Sequence, residues 1–557
     1  MREKVAVLAL VMGSSIACRG DRASPARRAL APAHLEASVP VFARFEHGFD
    51  GPVTARFTAP NGSTTVASSF LSRGRYIVRF TPRVAGPHEL SVANGTQEIA
   101  RGRIDARPAE NARGFVRLDP QEPHRLVGDD GSQVFLLGEN RINVYDPTWN
   151  YGNAGIEEYV ARMKSYGMTV IRVFLFSDCE AETVDGGYQI GCLEPKVGSF
   201  DERTADAIDE LFLAAERHSI DVVLVAYAIG FTPPPETWKS WEDNPYSAYR
   251  GGPALTPQSF FAEKRFFPDA ARKLRYIVDR WASSPRLLAI DLLNEPEWDG
   301  PIGERTWIPW AEAMSAVWRS IDPYGHLVTA GPVGLHWNID GDERAWYASK
   351  ANDLVQWHLY GKEFYDPRAL AIEMARKVDE TWGFDKPVFC GEFAYGGEDK
   401  ATYDHTHNGI WSLLFSGAGA LAHSAPVFEI DSDEPMTPER GSHFRVLAGV
   451  LDSFDRKGVL LPARDVEATR GRAWSLQIAA TGERAIWLLG PKEGYGETIE
   501  GARVSFPARR GLFHARIFDD VTGRTLAERT IRATNAVAID LPPFRRHLAV
   551  RVSRRGD

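Results

Sequence analysis

Between about residue 114 and residue 455, short apolar runs alternate with helical stretches, and this alternation constrains the fold most. The runs are Phe135–Asn140, Thr169–Ser177, Asp221–Ala228, Leu287–Glu295, Leu327–Gly331, Leu354–Tyr360, Pro387–Phe393 and Gly419–Val427. Continuous apolar segments of this length read as strands buried on both faces of a parallel sheet. Ile156, Tyr159, Val160 and Met163 line one face of the first helical stretch, which Gly167 closes; Ala205, Ile208, Leu211, Phe212 and Ala215 do the same in the second. Further helices are expected over 257–284, 304–322, 367–382, 401–416 and 438–454. Eight strands alternating with helices predict an α/β fold, a (β/α)8 TIM barrel with enlarged loops, over residues 111–456. A doubly wound open sheet is the rival, but no Gly-rich phosphate turn follows the first strand. In such a barrel the chemistry sits at the C-terminal ends of the strands.

The flanks follow a different period. Val39–Phe45, Val53–Phe57 and Tyr76–Phe80 alternate apolar and polar residues, with Asn61-Gly62, Arg73-Gly74 and Gly86-Pro87 as turn signals. They predict an Ig-like β-sandwich over 39–110. Alternation returns at Trp474, Leu476 and Ile478, at Ile486 and Leu488, and at Phe513, Ala515 and Ile517, predicting a second sandwich over 457–557. The first flank carries no cluster of titratable groups, and the second shows no catalytic constellation. At 557 residues, two to four domains are expected, and 44% hydrophobic with 25% charged residues is a soluble globular composition. The net charge of −9, without a long basic run, argues against nucleic acid as a partner and for a neutral or weakly charged substrate.

The first 18 residues read as a targeting segment. Arg2 and Lys4 precede the apolar core Val5–Met12, and small residues lead to Cys18. The pattern resembles a bacterial lipoprotein signal in which Cys18 is lipidated, although Ser15 stands where leucine is usual. Arg- and Pro-rich residues 19–38 then read as a linker. The expectation is export, to a cell-surface or outer-membrane lipoprotein or to the periplasm or medium, with any membrane contact made through Cys18. Export permits disulfides, and Cys179 and Cys192 bracket a Gly-rich acidic loop that a bridge would stabilise by roughly 3 kcal/mol. Cys390, inside an apolar run, reads as a small buried hydrophobe.

Two of the barrel strands end on a glutamate. Leu292-Leu293-Asn294-Glu295-Pro296 lifts Asn294 and Glu295 to the rim, where Pro296 stops the strand. Pro387-Val388-Phe389-Cys390-Gly391-Glu392-Phe393 delivers Glu392 in the same way. Two rim carboxylates are what glycoside hydrolysis needs: one protonates the leaving oxygen, and the other attacks the anomeric carbon.

Taken together, Arg172, Asn294-Glu295-Pro296, His358-Leu359-Tyr360 and Glu392, on strands two, four, six and seven, resemble clan A glycoside hydrolases, and within them the cellulase and mannanase group, family five. The resemblance covers about residues 114–455, and Arg79-Phe80-Thr81-Pro82 is similar to modules that precede such barrels. It implies a retaining hydrolase of β-linked glycans of the β-mannan or β-glucan type, with Glu295 as acid/base and Glu392 as nucleophile. Arg172 and Tyr360 would keep Glu392 ionised, Asn294 would hold the sugar 2-hydroxyl, and His358 would donate to substrate or to Glu295. Where the family places a tryptophan at the end of strand eight, this chain has Ala420-Leu421-Ala422-His423-Ser424-Ala425-Pro426. Trp149, Tyr151, Trp238, Trp241, Tyr246, Trp298 and Trp337 are candidate sugar platforms, since an aromatic face stacks on a pyranose. Asp404-His405-Thr406-His407 lacks a third metal ligand nearby in sequence, and Glu429, Asp431, Asp433 and Glu434 lack the glycine of a calcium loop, so no cofactor is implied. A monomer acting on an oligo- or polysaccharide is the expectation. An exo-glycosidase of other sugar preference and a non-catalytic carbohydrate-binding barrel are the alternatives.

Overall fold

The computed structural model describes residues 32–110, 112–141, 155–176, 192–228, 230–231, 241–300, 302–333, 340–360, 366–393, 402–423 and 437–555. At its centre eight strands form one sheet: Leu137–Arg141, Val170–Phe176, Asp221–Ala228, Leu287–Asn294, Leu327–Gly331, Val355–Leu359, Val388–Phe393 and Gly419–His423. Every laddered neighbour is parallel, and strand one pairs with both two and eight, so the sheet curls into a barrel. The seam lies between strands five and six, where the Asp353 N–H donates to the Val328 carbonyl at 2.8 Å and Thr329 Oγ1 to that of Leu354 at 3.0 Å. The helices form for the reasons the sequence implies. Asp201 caps Glu202–His218 by accepting from the Thr204 N–H, and Ser219 ends it in the left-handed region. The stretch expected as one helix over 257–284 is instead Pro257–Ala262 and Phe267–Trp281. Glu263, at φ −93° and ψ 110°, breaks the first helix before a single 3-10 turn leads into the second.

A small antiparallel sheet of Val116–Leu118, Leu126–Gly128 and Gln133–Val134 precedes the barrel. Val116, Leu126 and Val134 share a buried cluster with Val170, Leu288, Leu327 and Phe389, which lie near the strand N-termini. This plug closes the bottom of the barrel and leaves the C-terminal rim for chemistry.

The N-terminal region is a sandwich of a five-stranded and a three-stranded sheet around Phe57, Val78, Phe80, Val92 and Ile104. Its first strand, Ala33–Pro40, begins within the stretch expected to be linker, pairs in parallel with Gln97–Arg107, and turns Leu35, Ala37 and Val39 toward the core. The Arg79–Thr81 motif joins this sandwich to the barrel. The Arg79 guanidinium grips Asp209 in bidentate fashion at 2.8 and 2.9 Å and donates to the Arg280 carbonyl. Thr81 Oγ1 donates to the Ser283 carbonyl at 2.6 Å.

The C-terminal region has a six-stranded and a three-stranded sheet. Trp474, Leu476 and Trp487 of the larger sheet belong to the same apolar core as the barrel helices. Helix Asp404–Ser416 is buried at all 13 of its positions because it lies between barrel and sandwich. Here Asp520 accepts from Trp487 Nε1 at 2.8 Å and lies 3.2 Å from His407 Nε2 and 2.7 Å from His547 Nδ1. Burial opposes charge on Asp520, but the two imidazoles outweigh it and hold the carboxyl well below its usual range. Burial also works against His547, yet the Asp520 charge raises it to about 9. A group raised in this way stabilises the fold fully below its unfolded value of about 6.5 and loses that contribution as pH rises through the folded value. Asp520→Asn is therefore expected to cost about 3–5 kcal/mol near pH 6, the range for breaking a buried pair. The deficit should shrink as pH passes about 9, where His547 is neutral in both proteins. Thermal unfolding of both proteins across pH 6 to 10 checks this, and a deficit independent of pH contradicts it.

Candidate active site

The rim of the barrel gathers the polar strand-end residues into one buried group. Arg172 points from strand two into the centre and is 0% exposed. Its Nε and Nη2 donate to Asp291 Oδ2 at 2.9 and 2.8 Å, Nη1 donates to Asn140 Oδ1 at 2.9 Å and to Glu392 Oε1 at 2.6 Å, and Nη2 also donates to Asn294 Oδ1 at 2.8 Å. Burial works against the guanidinium charge, but Asp291 and Glu392 outweigh it and raise its pKa further. The arginine is thus a fixed cation that positions residues from strands one, four and seven.

Glu392 takes a second hydrogen bond, from the Tyr360 hydroxyl to Oε2 at 2.7 Å. Burial, and after it the Glu392 charge, push the Tyr360 phenol well above its usual range, so it stays protonated and donates. Two donors, one of them cationic, favour the ionised carboxylate that a nucleophile must be.

Glu295 is held differently. Its backbone lies in the left-handed region, at φ +36° and ψ +56°, between the end of strand four and the short helix Pro296–Asp299. Such a conformation costs a non-glycine residue about 1–3 kcal/mol and persists where the surroundings over-determine it. The Glu295 N–H donates to the Gly331 carbonyl of strand five at 2.7 Å, which fixes the turn. His358 Nδ1 lies 2.6 Å from Glu295 Oε1 and 3.8 Å from Glu392 Oε2. One ligand atom from each of Glu295, His358 and Glu392 lies within 4.8 Å of the others, so an oxygen of Glu295 and one of Glu392 are no more than 4.8 Å apart. Glu295 is 7% and Glu392 4% exposed, which keeps bulk water from screening either.

Of the residues singled out from sequence, Arg172, Asn294, Glu295, His358, Tyr360 and Glu392 thus converge. Trp298, at 38% exposed, sits on the rim where a platform could serve. Trp241 and Tyr246 do not: both are buried, the first donating to the Leu255 carbonyl of its own loop and the second to Glu194 of the segment after strand two, so they pack loops together. Trp149, Tyr151, Trp238 and Trp337 lie outside the described residues, as do Cys18, Ser424–Pro426 and the four acidic residues of 429–434. Cys192 is disulfide-bonded, whereas Cys179 lies outside the described residues; Cys390 is a buried free thiol.

Sequence reasoning missed Asn140, Asp291 and Gln356, which form the floor beneath the glutamates. The available signal was a polar residue facing inward from an otherwise apolar strand. It also missed Glu297, whose buried carboxyl receives the Val333 N–H at 3.3 Å and is pushed well above the carboxylate range by that burial. As for metal-ligating groups, a second set of ligand atoms converges within 4.8 Å at His407, Asp520 and His547. Of the Asp404–His407 stretch, His407 alone belongs to this set, and Asp520 and His547 both come from the C-terminal sandwich. Asp520 lies between the two imidazoles at hydrogen-bonding distance, which makes the group a tie between domains.

No protein-family model matches the chain. Its sequence is 25% identical over 235 residues to "Probable mannan endo-1,4-beta-mannosidase F" of Aspergillus oryzae, covering 40% of this chain and 48% of that protein. It is 26% identical over 340 residues to "Mannan endo-1,4-beta-mannosidase 2" of Arabidopsis thaliana, covering 52% of this chain and 75% of the plant protein. The chain thus spans about half the length of the fungal relative. Among solved structures, a glycoside hydrolase family 5 protein of Bacteroides vulgatus superimposes with a TM-score of 0.55 at 14% identity, over 79% of this chain and 94% of that one. The two chains share the (β/α)8 barrel fold. A second Bacteroides vulgatus structure assigned to the glycoside hydrolases matches with a TM-score of 0.64 at 15% identity, over 93% of this chain and 100% of that one. That span reaches beyond the barrel into the flanking sandwiches.

Proposed function

We propose that the chain is a retaining glycoside hydrolase that cleaves β-1,4-linked mannan by double displacement. The observation that carries this reading is the pair of dissimilar carboxylates, with oxygens of Glu295 and Glu392 within 4.8 Å of each other. Retaining enzymes set their two carboxyl groups about 5–5.5 Å apart, and inverting enzymes leave about 6.5–9.5 Å for a water. In the first step Glu392 attacks the anomeric carbon while the glycosidic C–O bond breaks and Glu295 gives its proton to the leaving oxygen. In the second, Glu295 takes a proton from water, whose oxygen displaces Glu392 from the sugar. The mannan preference is supported by the mannosidase names of the fungal and plant relatives. The basic start, apolar core and Cys18 of the N-terminal segment support export to where such polymers occur.

Hydrolysis should be measured on β-mannan, β-glucan, xylan and aryl β-glycosides. Release of manno-oligosaccharides ahead of other products is the expected result. Preferred hydrolysis of another glycan would overturn the mannan assignment, and no hydrolysis of any would overturn the enzyme assignment.

A further inference from the structure

His358 stands between two carboxylates, 2.6 Å from Glu295 and 3.8 Å from Glu392, and is 1% exposed. An imidazole so placed is drawn toward the doubly protonated, cationic form. An imidazolium against Glu295 would favour the ionised carboxylate and so weaken it as an acid. The floor of the site contains a residue that opposes this outcome. Gln356, two positions earlier on strand six, has its amide Nε2 at 3.0 Å from Asp291 Oδ2 and 3.2 Å from His358 Nε2. Asp291 settles which end of the amide faces inward, because its ionised carboxylate only accepts and the atom opposite must be a donor. The amide oxygen has no partner among the described residues. The flipped amide would be worse, since it would set that oxygen against the carboxylate.

A nitrogen bearing two hydrogens then meets His358 Nε2, so that ring nitrogen accepts, and the ring proton resides on Nδ1, facing Glu295 Oε1. We propose that Gln356 is a positioning residue that fixes His358 as the neutral Nδ1–H tautomer, so that Glu295 is gripped through Oε1 and carries its transferable proton on Oε2. The second part rests on the reading of Glu295 as acid/base.

The surrounding residues fit this arrangement. A Cβ added at Gly331 of strand five would lie 2.2 Å from the Gln356 Nε2, and one at Gly391 of strand seven would lie 2.7 Å from it and 2.9 Å from His358 Nε2. Two glycines therefore make the slot in which the amide and the imidazole meet. Among the described residues, the charged and titratable groups facing the pair are Glu295, Glu392, Asp291, the Arg172 cation and Tyr360, with Cys390 behind Glu392 and Glu297 beyond Glu295. Arg172 opposes a second cation, burial keeps Tyr360, Cys390 and Glu297 neutral, and Gln356 touches His358 Nε2 directly.

Two measurements on the full-length protein test this. The first is 15N NMR of histidine-labelled protein near pH 7, with the His358 signals identified by their loss in His358→Asn. Nε2 should resonate as an unprotonated ring nitrogen and Nδ1 as a protonated one; a protonated Nε2 overturns the proposal. The second is the pH dependence of kcat/KM in Gln356→Met, which keeps the volume but removes the donor. Its alkaline limb should move down by about one pH unit, the lower end of the effect of a new neighbouring charge. A uniform loss of rate with an unmoved limb would mark a merely structural role and overturn the proposal. An unprotonated Nε2 in a protein that hydrolyses no glycan would support the tautomer while sinking the glycosidase reading, so the two failures are separable.

Discussion

Glu392→Ala is expected to remove activity on every glycoside, whatever its leaving group, by about 10⁴-fold or more. In the proposed mechanism one oxygen of the carboxylate that Arg172 and Tyr360 hold at 2.6 and 2.7 Å bonds to the anomeric carbon, and alanine offers nothing in its place. The deletion leaves a space beside a buried cation, and a small anion can occupy it. Azide should therefore restore turnover, attacking the anomeric carbon directly and giving a glycosyl azide of inverted configuration. Steady-state rates with and without azide, with the product anomer assigned by NMR, check this. Unchanged hydrolysis in Glu392→Ala would remove the residue from the mechanism.

Glu295→Ala should fail in a different way. Natural glycans need the leaving oxygen protonated, and on them the loss should be about 10²–10⁴-fold, the usual share of general acid–base catalysis. Dinitrophenyl glycosides need no such proton, so their first step should survive. Their second step lacks its base, so the glycosyl-enzyme on Glu392 should accumulate and appear as a mass increase on the intact protein. Azide, which needs no base, should then speed turnover and give a product of retained configuration. Equal losses on activated and natural leaving groups, with no accumulated intermediate, would show that the acid/base is another residue. The contrast between the two variants follows from their settings: Glu392 faces a guanidinium, whereas Glu295 faces an imidazole with Glu297 beyond it.

The barrel was legible because strands buried on both faces appear as uninterrupted apolar runs, and because each of the two rim glutamates ends such a run. Val388–Phe393 and Leu287–Asn294 could be located from sequence for that reason. The plug of Val116–Val134 was not legible, since strands of two or three residues carry no period. Trp241 and Tyr246 show a different limit: an aromatic residue in a long loop reads alike whether it faces sugar or its own loop, and these two face inward. The floor of the site depends on partners that only barrel closure brings together. Arg172 and Asp291 are 119 positions apart, and His407 and Asp520 are 113 apart in different domains. No local pattern announces such pairs. The left-handed turn at Glu295 is an intermediate case. Pro296 announced a break, but the direction in which the side chain leaves the strand is set by the Gly331 carbonyl on the neighbouring strand.

The stereochemistry of hydrolysis tests the central claim most directly. The protein should be mixed with an aryl β-mannoside or a short β-mannan oligomer in an NMR tube, and the anomeric protons followed before mutarotation sets in. Two carboxylates whose oxygens lie within 4.8 Å leave no place for a water between nucleophile and sugar, so the β-anomer should appear first and convert slowly to the equilibrium mixture. First appearance of the α-anomer would mean single displacement by water and would contradict the assignment of Glu392 as nucleophile.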